Sequence, residues 1–197
     1  MRAFIAATIP NRTLQEILVV QAQLKERLPQ LRIEPANKIH ITLHFLGEIG
    51  EDDAYQLWAE FESAFNQEGF HFSELAITGI EFFPAKNTPR GIWLSCEDSG
   101  TIVSVANLII SISERYGVQR EPRAFRPHIT LGRFTRGGVD KSAFNLDLQK
   151  LFGVGKFVVN SFYPEGIVLY RSILKKTGSE YTQIYKISLE SRSGSNG

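Results

Sequence analysis

The segments Asn37–Gly50, NKIHITLHFLGEIG, and Phe125–Phe134, FRPHITLGRF, carry the same tetrapeptide: His40-Ile41-Thr42-Leu43 in the first half of the chain and His128-Ile129-Thr130-Leu131 in the second. One such tetrapeptide is what any half-buried strand looks like. Two identical copies, holding two of only four histidines, point to an internal pseudo-twofold. Side chains alternate along a strand, so His40 and Thr42 share one face and Ile41 and Leu43 the other, and likewise for His128 and Thr130. Set side by side, the two strands bring two imidazoles and two hydroxyls into one cleft. Such a cleft suits a phosphate. A neutral imidazole takes a proton from water, a protonated one gives a proton to a departing sugar oxygen, and the hydroxyls hold the non-bridging oxygens. That chemistry requires no metal.

Outward from the motifs, the apolar periodicity switches between strand and helix. Arg2 to Ile9 reads as a buried strand, and beyond Pro10-Asn11 the recurrence of Leu14, Ile17, Leu18, Leu24 and Leu28 predicts a helix. A strand over Ile39 to Leu46 closes at Gly47 and Gly50, before a second amphipathic helix carrying Leu57, Trp58, Phe61 and Phe65. Strands over Phe72 to Phe83 and Gly91 to Cys96 and a helix over Thr101 to Tyr116 complete the first pass. The second half repeats the pattern with a strand at Pro127 to Phe134, a loop at Gly137-Gly138, a short helical segment near Lys141 to Leu151, and strands at Lys156 to Phe162, Gly166 to Leu174 and Thr182 to Leu189. Residues 1–190 read as one domain of two interleaved lobes, and the polar SRSGSNG at 191–197 as a disordered tail.

Composition sets the limits. With 197 residues, 43% of them hydrophobic, the chain can bury a real core, and 22 basic against 21 acidic residues give no broad footprint for duplex nucleic acid. Any nucleic-acid contact is local. The one cysteine, Cys96, ends an apolar stretch and reads as a packing residue, without excluding a reactive thiol. No run is long enough for a signal sequence or a membrane span, so a cytoplasmic protein is expected, and it is read as a monomer.

With the residues RAFIAATIP at 2–10 and the flanks of both motifs, the chain resembles the 2H phosphoesterases, and among them the RNA 2',3'-cyclic phosphodiesterases, also called 2'-5' RNA ligases. That resemblance runs from about Arg2 to Leu189. It implies an α+β fold in which two pseudo-symmetric lobes enclose a central cleft with antiparallel sheets and carry helices outside. The implied activity is hydrolysis of a terminal 2',3'-cyclic phosphate to a 2'-phosphomonoester, with no cofactor and with 2'-5' ligation as its reverse. The partner is an RNA or nucleotide with such an end. The first histidine, His40, is implied as the acid, which makes His128 the base, and Arg133 is implied as a substrate contact. The same chemistry on a 2'-5' oligoadenylate or a small cyclic phosphate stays open, as does a non-catalytic module that binds RNA ends.

Other residues carry two readings each. His44 departs from the Lys, Ala or Arg common at its position. Period two puts it on the face of His40, where it is a cleft-edge contact or a solvated strand end; a metal held by three histidines lacks a further ligand at a recognisable spacing. Phe45 and Arg133 each follow a motif histidine by the same distance. Strict alternation turns them away from the cleft, so a base sandwich between them needs a strand end or a bulge after Leu43 and Leu131, and without it Phe45 is core. Arg120, Arg123 and Arg126 form a solvated loop or a groove for upstream phosphates, and Arg126, preceding a proline, is also a structural candidate. His71 reads as structural or exposed.

Overall fold

A computed structural model describes residues 1–83, 88–134, 159–176 and 178–189. The described chain runs β1 (Arg2–Thr8), α1 (Asn11–Arg27), β2 (Leu31–Ile33), a 3-10 turn (Ala36–Lys38), β3 (Ile41–Glu48), α2 (Glu51–Glu68), β4 (Ala76–Phe83), β5 (Gly91–Glu97), α3 (Thr101–Glu114), β6 (His128–Phe134), β7 (Gly166–Lys175) and β8 (Gly178–Ser188). Two four-stranded sheets result, in the orders β3-β1-β7-β8 and β2-β6-β5-β4. Every pairing is antiparallel. This is the α+β arrangement expected.

Each helix forms where its apolar residues make one stripe. In α1, Ile17, Val20 and Leu24 are buried; in α2, Leu57, Trp58, Phe61 and Phe65; in α3, Ile102, Val105, Ile109 and Ile112. Burying each such side chain contributes about 1.5–3 kcal/mol, and that burial attaches the helices to the sheets. The ends are chemically marked. Glu51, Asp52 and Asp53 place negative charge on the first turn of α2, and Gly69 closes it at φ 62°, a left-handed conformation. The carboxylate of Asp98 accepts hydrogen bonds from the backbone N–H groups of Gly100 and Ile102, each at 2.8 Å, and so starts α3.

The strands that carry the motifs, β3 and β6, contact each other where the two sheets meet. Both are bulged. In β3, Ile5 pairs with His44 and Ala6 with Thr42, leaving Leu43 as the extra residue. In β6, Ile92 pairs with Gly132 and Trp93 with Thr130, leaving Leu131 extra. The bulges at Leu43 and Leu131 therefore fall at equivalent positions of the repeat, and each reverses the alternation of the residues just beyond it, in β3 as far as a second bulge at Leu46.

The short strand β2 was not expected from the sequence. Of the strand expected at Lys156 to Phe162, the described part makes one antiparallel bridge, Leu75 to Phe162. The expected loop at Gly137-Gly138, the helical segment at Lys141 to Leu151 and the tail lie outside the described residues. Among the described residues, no helix is long and apolar enough to cross a membrane.

Candidate active site

His40 and His128 each sit at the mouth of a motif strand, held by the backbone two residues earlier. His128 Nδ1 donates to the Arg126 carbonyl at 2.8 Å, which leaves Nε2 as the basic nitrogen of the neutral ring. His40 makes the equivalent bond to the backbone of Lys38, and its Nε2 lies 3.0 Å from Thr42 Oγ1. The repeat thus fixes the orientation of both rings, and Arg126 acts through its carbonyl.

The walls differ. Around His40 stand Phe4, Tyr170 and Tyr181, with ring centroids at 5.1, 6.2 and 5.7 Å. Among the described residues, His128 rests on the ring of Trp93 alone, at 4.3 Å. Burial holds the His40 imidazole far below its ordinary value, at about 4; the bond to Lys38 opposes the shift, and the charges of His128 and Arg133 add to it. His128 is also lowered, first by burial and then by the charges of Arg133 and Arg126, against the pull of its bond to the Arg126 backbone. Burial and the neighbouring positive charges both act against protonation of the rings. An anion entering there would raise both rings toward protonation.

The bulge that the base-sandwich reading required is present in both lobes. Phe45 lies past the first, 53% exposed, with its ring 5.9 Å from Phe4. Arg133, past the second, is exposed and holds its guanidinium 5.4 Å from the centre of the Phe83 ring. Its charge reaches His40, His128 and Tyr181. Each residue leans on an aromatic ring of its own lobe. Thr42 and Thr130 are half-buried on their strands beside the histidines.

His44 corrects the sequence reading. The bulge at Leu43 takes it out of phase with His40, and it lies 4% exposed, within reach of the charges of Glu114 at the end of α3 and of Arg120. It is no solvated strand end. Among the described residues its Nε2 has no hydrogen-bond partner, which in a buried imidazole costs about 1–3 kcal/mol. Burial, ahead of the opposing charges of Glu114 and Arg120, lowers its pKa and favours the neutral ring. Three histidines therefore do not converge, and among the described residues no group of three or more His, Cys, Asp or Glu side chains could hold a metal ion.

Of the arginine cluster, Arg120 is tied to Glu114 at 2.9 Å, whereas Arg123 and Arg126 are exposed and make no ion pair with a described residue. His71 is exposed. Cys96 is 3% exposed, and burial pushes its thiol up to about 12, so it packs. The walls of the site were missed in the sequence. Trp93 had a signal: it alternates with Ile92 and Leu94, which puts it on the face opposite the core. Phe4, Tyr170 and Tyr181 had none, because β1 is apolar on both faces and Tyr170 and Tyr181 come from strands distant in sequence.

Comparison with known proteins agrees with this geometry. A family described as LigT like Phosphoesterase matches residues 8–93. A Thermus thermophilus protein named RNA 2',3'-cyclic phosphodiesterase is 30% identical over 200 residues, covering 98% of this chain and 93% of that protein. One of the same name from Archaeoglobus fulgidus is 28% identical over 136 residues, covering 69% and 74%. Among solved structures, a Thermus thermophilus protein superposes with a TM-score of 0.71 at 22% identity, covering 98% of this chain and all of that one. Escherichia coli LigT complexed with 3'-AMP gives 0.66 at 23%, covering 95% and 97%. These structures share the fold.

Proposed function

Because the chain belongs to the LigT-like phosphoesterases, we propose that it hydrolyses a terminal 2',3'-cyclic phosphate on RNA, with His40 and His128 as its acid and base. The observation that carries this reading is the equivalence of the two motif histidines. Each ring is held by the backbone two residues before it, and the two are close enough for the charge of His128 to lower His40.

His128 Nε2 takes a proton from water as its oxygen attacks phosphorus, while protonated His40 gives its proton to the departing 3'-oxygen. The bond to the 3'-oxygen breaks, and the phosphate stays on the 2'-oxygen. Thr42 and Thr130 donate to the non-bridging oxygens, and Arg133 balances the phosphate charge and presents its guanidinium to the nucleoside. The anionic substrate supplies what the empty cleft lacks, since its charge raises His40 into the range where it can hold the proton. Ligation through a 2'-5' linkage is the same path reversed, and hydrolysis dominates in dilute water. In this reading residues 1–190 act as one unit, a cytoplasmic monomer. Gln21 of α1 supports that unity by donating to the Leu131 carbonyl at 2.8 Å.

The test is incubation of an oligoribonucleotide ending in a 2',3'-cyclic phosphate with the protein in EDTA, followed by phosphorus NMR. The expected product is a 2'-phosphate. No hydrolysis, or activity restored only by a divalent ion, would overturn the proposal, and a 3'-phosphate would reverse the binding orientation.

A further inference from the structure

The cleft does not end at the histidines. A cavity of about 560 Å³ begins at Thr42, Trp93 and His128 and continues past Phe45 over His44 and Asn107 to the loop of Arg120, Arg123 and Arg126. Charges mark the same path. That of Arg126 acts on His128 at one end, and that of Arg120 acts on His44 at the other. Glu114 neutralises Arg120, while Arg123 and Arg126 stay free of ion pairs among the described residues.

We propose that this extension is a subsite for the nucleotide immediately upstream of the cyclic phosphate, with His44 and Asn107 reading its base edge and Arg123 and Arg126 holding the linking phosphate. The inference rests on the activity proposed above and adds a preference for oligonucleotides over mononucleotides. Three features fit such an occupant. Aromatic surface at Phe45 and Phe125 accepts a base, as sequence-tolerant sites for single strands do. Exposed arginines offer planar donor pairs to a phosphodiester. His44 lines this cavity at 4% exposure, and its Nε2 lacks a partner among the described residues, one that a base edge supplies once the ring turns toward the cavity. At the equivalent place in the other lobe stands Gly132, whose Cβ would meet the Arg32 carbonyl at 2.8 Å, so no second copy of the subsite exists there.

Steady-state kinetics on a 2',3'-cyclic mononucleotide and on trinucleotides ending in that same nucleotide, with the penultimate base varied, test the proposal. Wild type is expected to show about tenfold higher kcat/KM on the trinucleotides and to distinguish their penultimate bases. Arg123→Ala should lose most of that advantage and weaken the salt dependence, with the mononucleotide unchanged. His44→Leu should flatten the base preference, a readout that a purely structural role would not move. Because Arg123 is exposed, its variant remains informative even where a His44 variant fails to fold. Equal kcat/KM on mononucleotide and trinucleotides in wild type, or equal losses on both in Arg123→Ala, would overturn the subsite alone. Hydrolysis of neither would overturn the proposed activity and the subsite with it.

Discussion

The two lobes present the same tetrapeptide on the same bulged strand, yet they surround it differently. In the first lobe β3 is an edge strand, His40 stands among three aromatic rings, and the residue past the bulge is a buried histidine. In the second, β2 covers β6, His128 rests on one ring among the described residues, and the residue past the bulge is Gly132. What the duplication preserved is the orientation of the imidazoles; what diverged is how much water reaches them. The walls alone make His40 the harder ring to protonate, so the acid role proposed for it depends on the phosphate charge that enters the cleft with the substrate.

Removing each histidine in turn should have the largest effect. His40→Ala and His128→Ala should each lower kcat by on the order of 10²–10⁴ with the fold intact by circular dichroism. A substrate whose 3'-bridging oxygen is sulfur then assigns the roles, since a thiolate leaves with little need of a proton. His40→Ala is expected to recover on it and His128→Ala is not. Recovery of His128→Ala alone would exchange the two lobes' roles, and near-wild-type turnover of either variant would dismiss the pair.

Arg133→Ala comes next. Its counterpart Phe45 carries no charge, so the variant removes a cation that the first lobe does not match and should raise KM for a nucleoside cyclic phosphate by about tenfold or more, within the 1–3 kcal/mol of a stacked base. A base-free cyclic phosphate should suffer less. Equal effects on both would assign Arg133 to the phosphate alone. Smaller again, Thr42→Val and Thr130→Val should each cost about tenfold in kcat/KM, as one hydrogen bond to a charged phosphate is lost and the side-chain shape is kept. Loss of folding with full activity in the folded fraction would make the threonines structural.

How far these residues were legible in the sequence follows from how local their causes are. The helices and most strands lay open because a helical or alternating stripe is written in adjacent residues, and the repeat announced the paired histidines. The three-residue β2 carries too few residues for a period. Bulges were foreseen as a condition on Phe45 and Arg133, and the same bulge misplaced His44, because an inserted residue shifts every side chain after it. The aromatic wall of His40 could not be seen at all. Its three rings come from β1, β7 and β8, and only sheet order brings them together.

That wall supplies the smallest effect and the most direct test of the comparison. Burial is the first cause of the depressed His40 and His128 imidazoles, so thinning either wall should move its own histidine upward. Tyr181→Leu exposes one side of His40, which is expected to rise from about 4 by up to roughly a unit, with His128 nearly still. Trp93→Leu should do the reverse. The sign carries into stability. Between about 4 and the unfolded value of 6.5 the unfolded chain binds a proton that native His40 refuses, so the wild type loses stability as pH falls through that window. Tyr181→Leu narrows the window and should flatten that slope, whatever stability it loses at neutral pH from the missing ring. Histidine proton shifts followed by NMR, with urea melts at matched pH, measure both. If both histidines move together in each variant, their mutual repulsion rather than the walls sets the values, and the difference between the lobes would lie in Arg133 and Arg126 instead of in the rings.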